Sequence, residues 1–489
     1  MRRNAWLGLD FGTSSVKALL VRGDGSVAGR ASAAYPTTYA PGGVAEQEAD
    51  DYLRAAREAI AACGANDMPL DGIGLAGQTP TLVPVDAQSE PVRPALTWQD
   101  HRADDEARTL EDELGDPEPL FGTRLPWTAA YAPAKLLWLS RHEPETVART
   151  RFVLQPKDYV GLRLTGSPLS DPWSSKGLCH VLTSEPAAGV LGRVGFAPEV
   201  APPLAAAWER RGAVTSEAAA AFRLSEGAPV SVGWSDAAAA MLAVGAFEHP
   251  SAFVLSGTSS IVGVTSSLAI PAHPRLLELP ASCAPLSVHY GPTESSGASV
   301  EWLARLLRCD TAEALALAAS IEPGQAPVFV PYLSGERAPV WRTDVRAVVV
   351  GLGSEHGPAE LARAVVDGVC LSEADVLALA EEHTGSPASA VAVAGRGADQ
   401  APWREARLAA LGRPLRVLAE RDASALGAAM LGAAAAAGTL AAARPLRGGI
   451  EIAEPVTGSH ASAAPLGRFR RAAQVSLAWQ EAASRSSEQ

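Results

Sequence analysis

Two carboxylates and a pair of hydroxyl-rich turns are the residues of this 489-residue chain whose types and spacing suit chemistry. Asp10 closes the apolar run Leu7-Gly8-Leu9, Phe11-Gly12-Thr13-Ser14-Ser15 follows, and an apolar run resumes from Val16 to Val21. A strand that ends in an acid, turns on glycine and hydroxyl residues and returns as a strand is a hairpin lined with N–H and O–H donors. Such a turn suits phosphate. Asp10 beside it would be a magnesium partner, because Mg²⁺ takes one or two carboxylates together with waters and substrate oxygens. Taken alone, the stretch also reads as an ordinary hairpin. Asp236 is the strongest single candidate for a reacting group: the strand Val230-Ser231-Val232-Gly233 delivers Trp234-Ser235-Asp236 to the start of an Ala-rich helix. A helix N-terminus there would hold a substrate oxygen or the carboxylate itself. The competing reading is a helix N-cap, a position Asp favours, and the two roles can coexist.

The first turn has a second copy halfway along, Phe253-Val254-Leu255-Ser256-Gly257-Thr258-Ser259-Ser260-Ile261-Val262. An internal repeat of this kind predicts two related domains presenting paired phosphate turns to one cleft. Ser256 is expected where the first copy has Asp10, so that only the N-terminal turn offers a carboxylate. Gly395-Arg396-Gly397 with Gln400 reads as a Gly-rich turn at a strand end, where a planar base can lie against backbone; a plain strand-to-helix turn explains it too. Trp98-Gln99-Asp100-His101-Arg102 gathers a ring, an acid and a cation, a composition suited to a polyhydroxylated substrate or simply to a surface loop with a half-buried Trp. His180 and Cys179 are adjacent in sequence and rarely converge, so both read as structural.

The elements that must position these residues follow from the apolar pattern. Gly23-Asp24-Gly25 turns into Ser26–Tyr35, giving three antiparallel strands in a row, then a helix from Asp50 to Cys63 and a strand Ile73–Gln78. Helices are expected at Lys135–Ser140, Lys157–Leu164 and Glu217–Phe222, with a polar loop over Ser167–Gly177. Past a boundary near Gly245 the plan repeats: hairpin strands around Gly257, strands Ser287–Tyr290, Val328–Val330 and Val345–Leu352, helix Pro358–Glu382, strand Val391–Ala394 and helix Trp403–Leu411. Ala423–Ala443 reads as a buried helix whose small side chains permit close packing. Arg444 onward reads as a polar segment with one helix, Phe469–Ala483. The domains are therefore expected at 1–245 and 246–445, with a C-terminal extension over 446–489. Strands first and alternating helix and strand afterwards argue for layered α/β domains.

Composition sets limits. A net charge of −13 argues against a nucleic-acid footprint and against anionic membranes. The five cysteines are far apart and form no C-x-x-C, so neither a disulfide framework nor a zinc site is indicated and a reducing cytoplasm is the expected compartment. The short apolar run after Met1-Arg2-Arg3 is broken by Asp10 and does not read as an export signal.

Together these residues resemble the FGGY family of carbohydrate kinases, most closely its xylulokinase group, from Leu7 to about Gly438. The carriers are Leu9–Ser15, Ala76-Gly77-Gln78, Trp98–Arg102, Pro156-Lys157-Asp158-Tyr159, Gly233–Asp236, Leu255–Thr258, Pro331–Pro339, Gly395–Trp403 and Asp422–Ala429. The resemblance implies two ribonuclease-H-like, actin-like ATPase domains with an interdomain cleft for ATP and a sugar. It makes Asp236 the general base and Asp10 the magnesium-associated acid. Gly12, Thr13, Ser14 and Ser15 and Gly257, Thr258 and Ser259 become the two phosphate motifs, and Gly395, Arg396, Gly397 and Gln400 the adenosine motif. Gln78, Thr79, Trp98, Asp100 and Asp236 would line the sugar.

The departures fall mostly at the sugar. Thr79-Pro80-Thr81 stands where the xylulokinase pattern has Met-His-Gly and glycerol kinases have Arg-Glu, so a preferred substrate other than D-xylulose is expected. Ala237 replaces the usual Asn, Arg396 interrupts the glycine run, and Ala132 stands where Pro, Ser or Thr is usual. The implied reaction moves the γ-phosphoryl of ATP to a hydroxyl of a ketose, such as a pentulose, with Asp236 taking the hydroxyl proton. A polyol kinase of the same family and a non-catalytic nucleotide- and sugar-binding sensor are the alternatives. Retention of Asp10, Asp236 and both turns speaks against the sensor. A homodimer stays open as the assembly.

Overall fold

The computed structural model describes residues 5–455 and 463–487. It divides into two compact units. The first comprises Met1–Ala243, Leu279–Pro285 and Asp422–Gly448; the second comprises Val244–Glu278, Leu286–Arg421 and Gly449–Gln489.

In the first unit, tight polar turns force the first three strands, Ala5–Phe11, Ser15–Arg22 and Val27–Ala34, to pair antiparallel. The helix Ala49–Ala62 then carries the chain back, so the next strand, Gly72–Gly77, joins Ala5–Phe11 in parallel. Pro229–Ser231 continues the parallel set, and Arg210–Ala213 closes the edge antiparallel. One face packs Leu7, Leu9, Phe11, Val16, Ile73 and Leu75 against Tyr52, Ala56 and Ile60 of the helix. The other face carries the Ala-rich helix Ala423–Ala437 against Gly72–Gly77 and Ala5–Phe11. Here the packing dictates glycine: a Cβ on Gly74 would sit 1.6 Å from the Ala428 carbonyl oxygen. A smaller core around Leu82, Leu96, Leu136, Leu139, Val153 and Phe196 supports the inserted helices between residues 104 and 200.

The second unit repeats the order. Ser287–Pro292, Ser260–Ser266 and Ala252–Ser256 are antiparallel neighbours, Val391–Gly395 and Leu415–Leu418 follow in parallel, and Ile450–Ala453 closes the edge antiparallel. The 27-residue helix Pro358–Thr384 lies against this sheet, and its Val376, Leu377 and Ala380 share a core with Val254, Val262, Val391 and Val393.

Several expectations change. The segment expected at 246–445 is shared between the units, because helix Ala423–Ala437 packs on the first sheet. Residues past 445 supply an edge strand to the second sheet, one that the polar look of the segment concealed. Only Val348–Val350 of the expected strand Val345–Leu352 pairs, with Val328–Val330. Ser256 is not the counterpart of Asp10. It pairs with Gly395 as Phe11 pairs with Gly77, which makes Leu255, opposite Ala394, the counterpart of Asp10 opposite Ala76. A shift of one residue moves a side chain to the other face of a strand, so the correction alters what each residue can touch. The first turn still has the only carboxylate of the two.

Candidate active site

Neighbouring parallel strands end together in the first unit. Phe11 is level with Gly77, and Gly77 is level with Ser235. Asp10, Gln78 and Asp236 therefore stand at adjacent carboxyl ends of strands, where such sheets collect their sites.

Asp236 is the first residue of the helix Asp236–Ala243, and Ser235 supplies the side-chain cap by accepting from the Ala238 N–H at 3.4 Å. The capping role thus falls on Ser235. The Asp236 carboxylate accepts the adjacent Ala237 N–H at 2.7 Å and is only partly buried by surface area. Withdrawal from solvent, then the negative charge of Asp10, pushes its pKa up to about 7, against the pull of Lys176 and Lys17. Such a carboxylate can accept and return a proton near neutral pH.

Asp10 is 3 % exposed. Its Oδ2 accepts from the Ser424 hydroxyl, and its Oδ1 is buried without a hydrogen-bond partner. Burial raises its pKa, opposed by the Ser424 hydrogen bond and by Lys17, its cross-strand neighbour, which also pairs with Asp422 at 2.9 Å. An under-satisfied buried carboxylate is a ligand in waiting.

The first turn draws its carbonyls inward. Gly12 O accepts from the Tyr35 hydroxyl, Thr13 O from Gln47 Nε2 at 2.7 Å, Ser14 O from the Tyr35 N–H at 3.0 Å and Ser15 O from the Gly12 N–H at 3.0 Å. With its acceptors engaged, the turn offers donors to an anion. The second turn does the same with other partners. Gly257 O accepts from the Gly297 N–H at 3.1 Å, Thr258 O from the Ser296 and Ala298 N–H groups at 2.9 and 3.1 Å, and Ser259 O from the Gly257 N–H at 2.8 Å.

Gln78 is buried, donates from Nε2 to Gln47 Oε1 at 3.0 Å and keeps Oε1 unpartnered. Thr79 follows it, half-buried. Trp98 is 39 % exposed and its Nε1 donates to Thr13 Oγ1 at 3.3 Å, which brings its ring beside the first turn. Asp100 differs from expectation in kind: it is fully buried, pairs with Arg102 at 2.6 Å and accepts the Ala45 N–H at 2.8 Å. Its oxygens are engaged, so it anchors the loop that carries Trp98.

Gly395 and Gly397 both have positive φ, +98° and +79°. A Cβ on Gly395 would fall 2.0 Å from the Ser256 carbonyl oxygen, so glycine is required there by strand approach alone. Arg396 N–H donates to that same oxygen at 3.1 Å, and Gln400 N–H donates to Gly397 O at 3.0 Å as the helix Ala401–Leu411 begins.

Two groups escaped the sequence reading. Gln47 ties Thr13, Thr37, Tyr52 and Gln78 into one network. Lys176 lies in the stretch expected to be a polar loop, yet it is 8 % exposed, with its ammonium 4.6 Å from the centre of the Trp173 ring. Burial lowers its pKa to about 8, against the charges of Asp171 and Asp236. Apolar flanks or a helical period would have flagged it; the loop has neither.

Comparison with known proteins matches two family models to this chain. The N-terminal domain of the FGGY family of carbohydrate kinases matches residues 5–243, and the C-terminal domain of that family matches residues 252–436. A xylulose kinase of Escherichia coli (strain K12) is 31 % identical over 88 % of this chain and 90 % of its own length. The crystal structure of a xyloylose kinase from Brucella ovis superposes with a TM-score of 0.85 at 28 % identity, covering 98 % of this chain and 99 % of that one. A xylulose kinase from Rhodospirillum rubrum gives 0.83 at 26 % identity, covering 99 % and 100 %.

Proposed function

Since the chain belongs to the FGGY family of carbohydrate kinases, we propose that it moves the γ-phosphoryl of ATP to a hydroxyl of a pentulose, with Asp236 as general base. The observation that carries the assignment is the placing of Asp236 and Asp10 at the carboxyl ends of strands on either side of Gly72–Gly77, where burial first and the Asp10 charge second push the Asp236 pKa up to about 7. The acceptor hydroxyl gives its proton to Asp236 as its oxygen attacks phosphorus; the bond to the β-phosphate oxygen breaks and ADP leaves. Gly12, Thr13, Ser14, Ser15, Gly257, Thr258 and Ser259 offer donors for the phosphates, with Gly395, Arg396, Gly397 and Gln400 taking the adenosine. Gln78, through its unpartnered Oε1, Thr79 and the Trp98 ring face the sugar, and Asp100 holds the Trp98 loop.

Asp10 fits magnesium: its buried Oδ1 has no partner, and one carboxylate with substrate oxygens and water is the donor set this ion takes. Among the described residues no group of three or more His, Cys, Asp or Glu gathers as an all-protein cage. Bound with ATP at Asp10, Mg²⁺ would neutralise charge on the phosphoryl oxygens. A cytoplasmic setting accords with five free thiols; no helix among the described residues is long and apolar enough to cross a membrane.

A panel of ketoses and polyols with ATP and Mg²⁺, read as ADP release, tests the proposal. A pentulose is expected to lead. If Thr79-Pro80 redirects recognition, D-xylulose will not be the best of the panel; a wide lead for D-xylulose would sink that part alone. ATP binding without release on any acceptor would favour the sensor.

A further inference from the structure

The hairpin of the second unit carries a buried charge pair where the first hairpin is apolar. Ser256 and Ser260 face each other across the strands, immediately outside Gly257-Thr258-Ser259. Arg407 donates from Nη2 to Ser256 Oγ at 2.6 Å and from Nε to Glu373 at 2.8 Å, and Ser260 Oγ donates to Glu373 Oε1 at 2.6 Å. Arg407 and Glu373 are 1 % and 0 % exposed. The pair that closes the first hairpin, across a turn one residue longer, is Phe11 and Val16, both fully buried among apolar neighbours. The fold therefore closes this turn without ions. A buried ion pair is commonly no more stable than apolar residues of similar volume, so stability alone does not account for its presence.

Its partners point to the nucleotide. Glu373 belongs to the helix Pro358–Thr384 and Arg407 to the helix Ala401–Leu411, which starts directly after Gln400. The Arg407 guanidinium lies 5.4 Å from the Trp403 ring centre, and that ring abuts Gly397, where an added Cβ would fall 2.8 Å from Trp403 Cδ1. The Ser256 carbonyl at the other end accepts the Arg396 N–H. One guanidinium thus spans from the phosphate turn to the Gly395–Gln400 turn.

We infer that Arg407 and Glu373 are positioning residues for ATP, locking the Gly257–Ser259 turn in register with the Gly395–Gln400 turn so that phosphates and adenosine are held by one rigid frame. The inference rests on the kinase reading above, and binding measurements separate the two. The test replaces the ion pair by Glu373→Leu with Arg407→Met in the full chain, and separately removes the hydroxyls by Ser256→Ala with Ser260→Ala. Thermal melting, ATP affinity by calorimetry, and KM for ATP and for the best acceptor are measured. The apolar pair is expected to melt no lower than wild type, yet to bind ATP about tenfold more weakly, and the serine variant about five- to tenfold, the weight of one net hydrogen bond. KM for the sugar stays unchanged. Retention of wild-type ATP affinity within about twofold in the folded variants would overturn the inference; should the apolar pair not fold, the serine variant decides by the same criterion. If wild type binds ATP yet phosphorylates nothing, the kinase reading falls while the ATP affinities still judge this one.

Discussion

The two hairpins share strand order, pairing with the next parallel strand and a Gly-Thr-Ser-Ser sequence, and they differ in the length of the turn and in what each face of the leading strand carries. The outward face of the first has Asp10, held by Ser424 alone on one oxygen and unpartnered on the other. The same position of the second has Leu255, buried and inert. The inward faces are reversed in character: Phe11 and Val16 are apolar, whereas Ser256 and Ser260 bind an ion pair. A duplicated frame has thus been specialised by polarity, one copy keeping an unsatisfied acid next to Asp236 and the other satisfying every charge it buries around the turn but Arg407 Nη1. On the proposed function, the contrast assigns the shared turn to anion binding in both copies and the reactivity to a buried carboxylate left short of partners.

Removing the proposed general base should break the comparison most severely. Asp236→Asn keeps shape, and because Ser235 caps the helix, folding should not depend on the charge. A neutral amide cannot take the hydroxyl proton, and kcat should fall roughly 10²–10⁴-fold with ATP binding intact. Melting sharpens this: the wild-type carboxylate has a pKa raised from 3.8 to about 7 in the folded state, so the native protein binds the extra proton and wild-type stability declines as pH rises through that window. Asp236→Asn lacks the decline and should melt above wild type at pH 8 but not at pH 4. A mutant that keeps most of its kcat would end the general-base assignment.

Neutralising the first hairpin's distinctive acid comes next. Asp10→Asn, which leaves a first turn as uncharged as the second, should lower kcat about 10²–10³-fold, the scale of losing one electrostatic element at a transferring group. It should also remove the magnesium dependence of ATP affinity measured by calorimetry. Unchanged magnesium dependence would move the metal away from Asp10.

Much of this contrast could be read from residues. The turns announced themselves through glycine and hydroxyls between apolar runs, Asp236 through its place between strand and small-residue helix, and Ala423–Ala437 through uninterrupted small side chains, all local signals. The match of Ser256 to Phe11 was legible too, by laying Gly257-Thr258-Ser259-Ser260 over Gly12-Thr13-Ser14-Ser15, and the register of Ser256 with Gly395 repeats it. What stayed hidden was set by distant pairing. Asp100 looked available because Ala45 N–H, its partner, is remote in sequence. Lys176 looked solvated because nothing adjacent shows that Trp173 and Tyr131 cover it. The strand Ile450–Ala453 was missed because an edge strand needs little hydrophobicity of its own.

The converse exchange is expected to cost stability and gain nothing. Leu255→Asp puts a carboxylate at the Asp10 position of the second hairpin, 8 % exposed and with no Ser424 or Lys17 equivalent built for it. Burying that group should lower stability by about 2–3 kcal/mol in denaturant unfolding, without altering which residue acts as base. A mutant as stable as wild type would show that the outward face of this hairpin tolerates charge in either copy.

The smallest effect, and the one that reads the coupling directly, is on pH. Asp10 is the second cause, after burial, of the raised Asp236 pKa. Transfer needs Asp236 ionised, so kcat/KM should fall as pH drops below about 7 in wild type. Asp10→Asn removes the neighbouring negative charge and leaves burial in place. The Asp236 pKa should then move down without reaching its ordinary value. Because that variant is slow, the titration is better followed by the carboxyl ¹³C resonance of Asp236 than by rate alone, with Asp236→Asn assigning the signal. Magnesium with a non-hydrolysable ATP analogue offers a second reading on wild type: a cation at Asp10 should shift the same resonance in the same direction. A pKa that ignores both changes would mean the two carboxylates are neighbours in the sheet but independent in their chemistry, and the specialisation of the first hairpin would then rest on Asp10 alone.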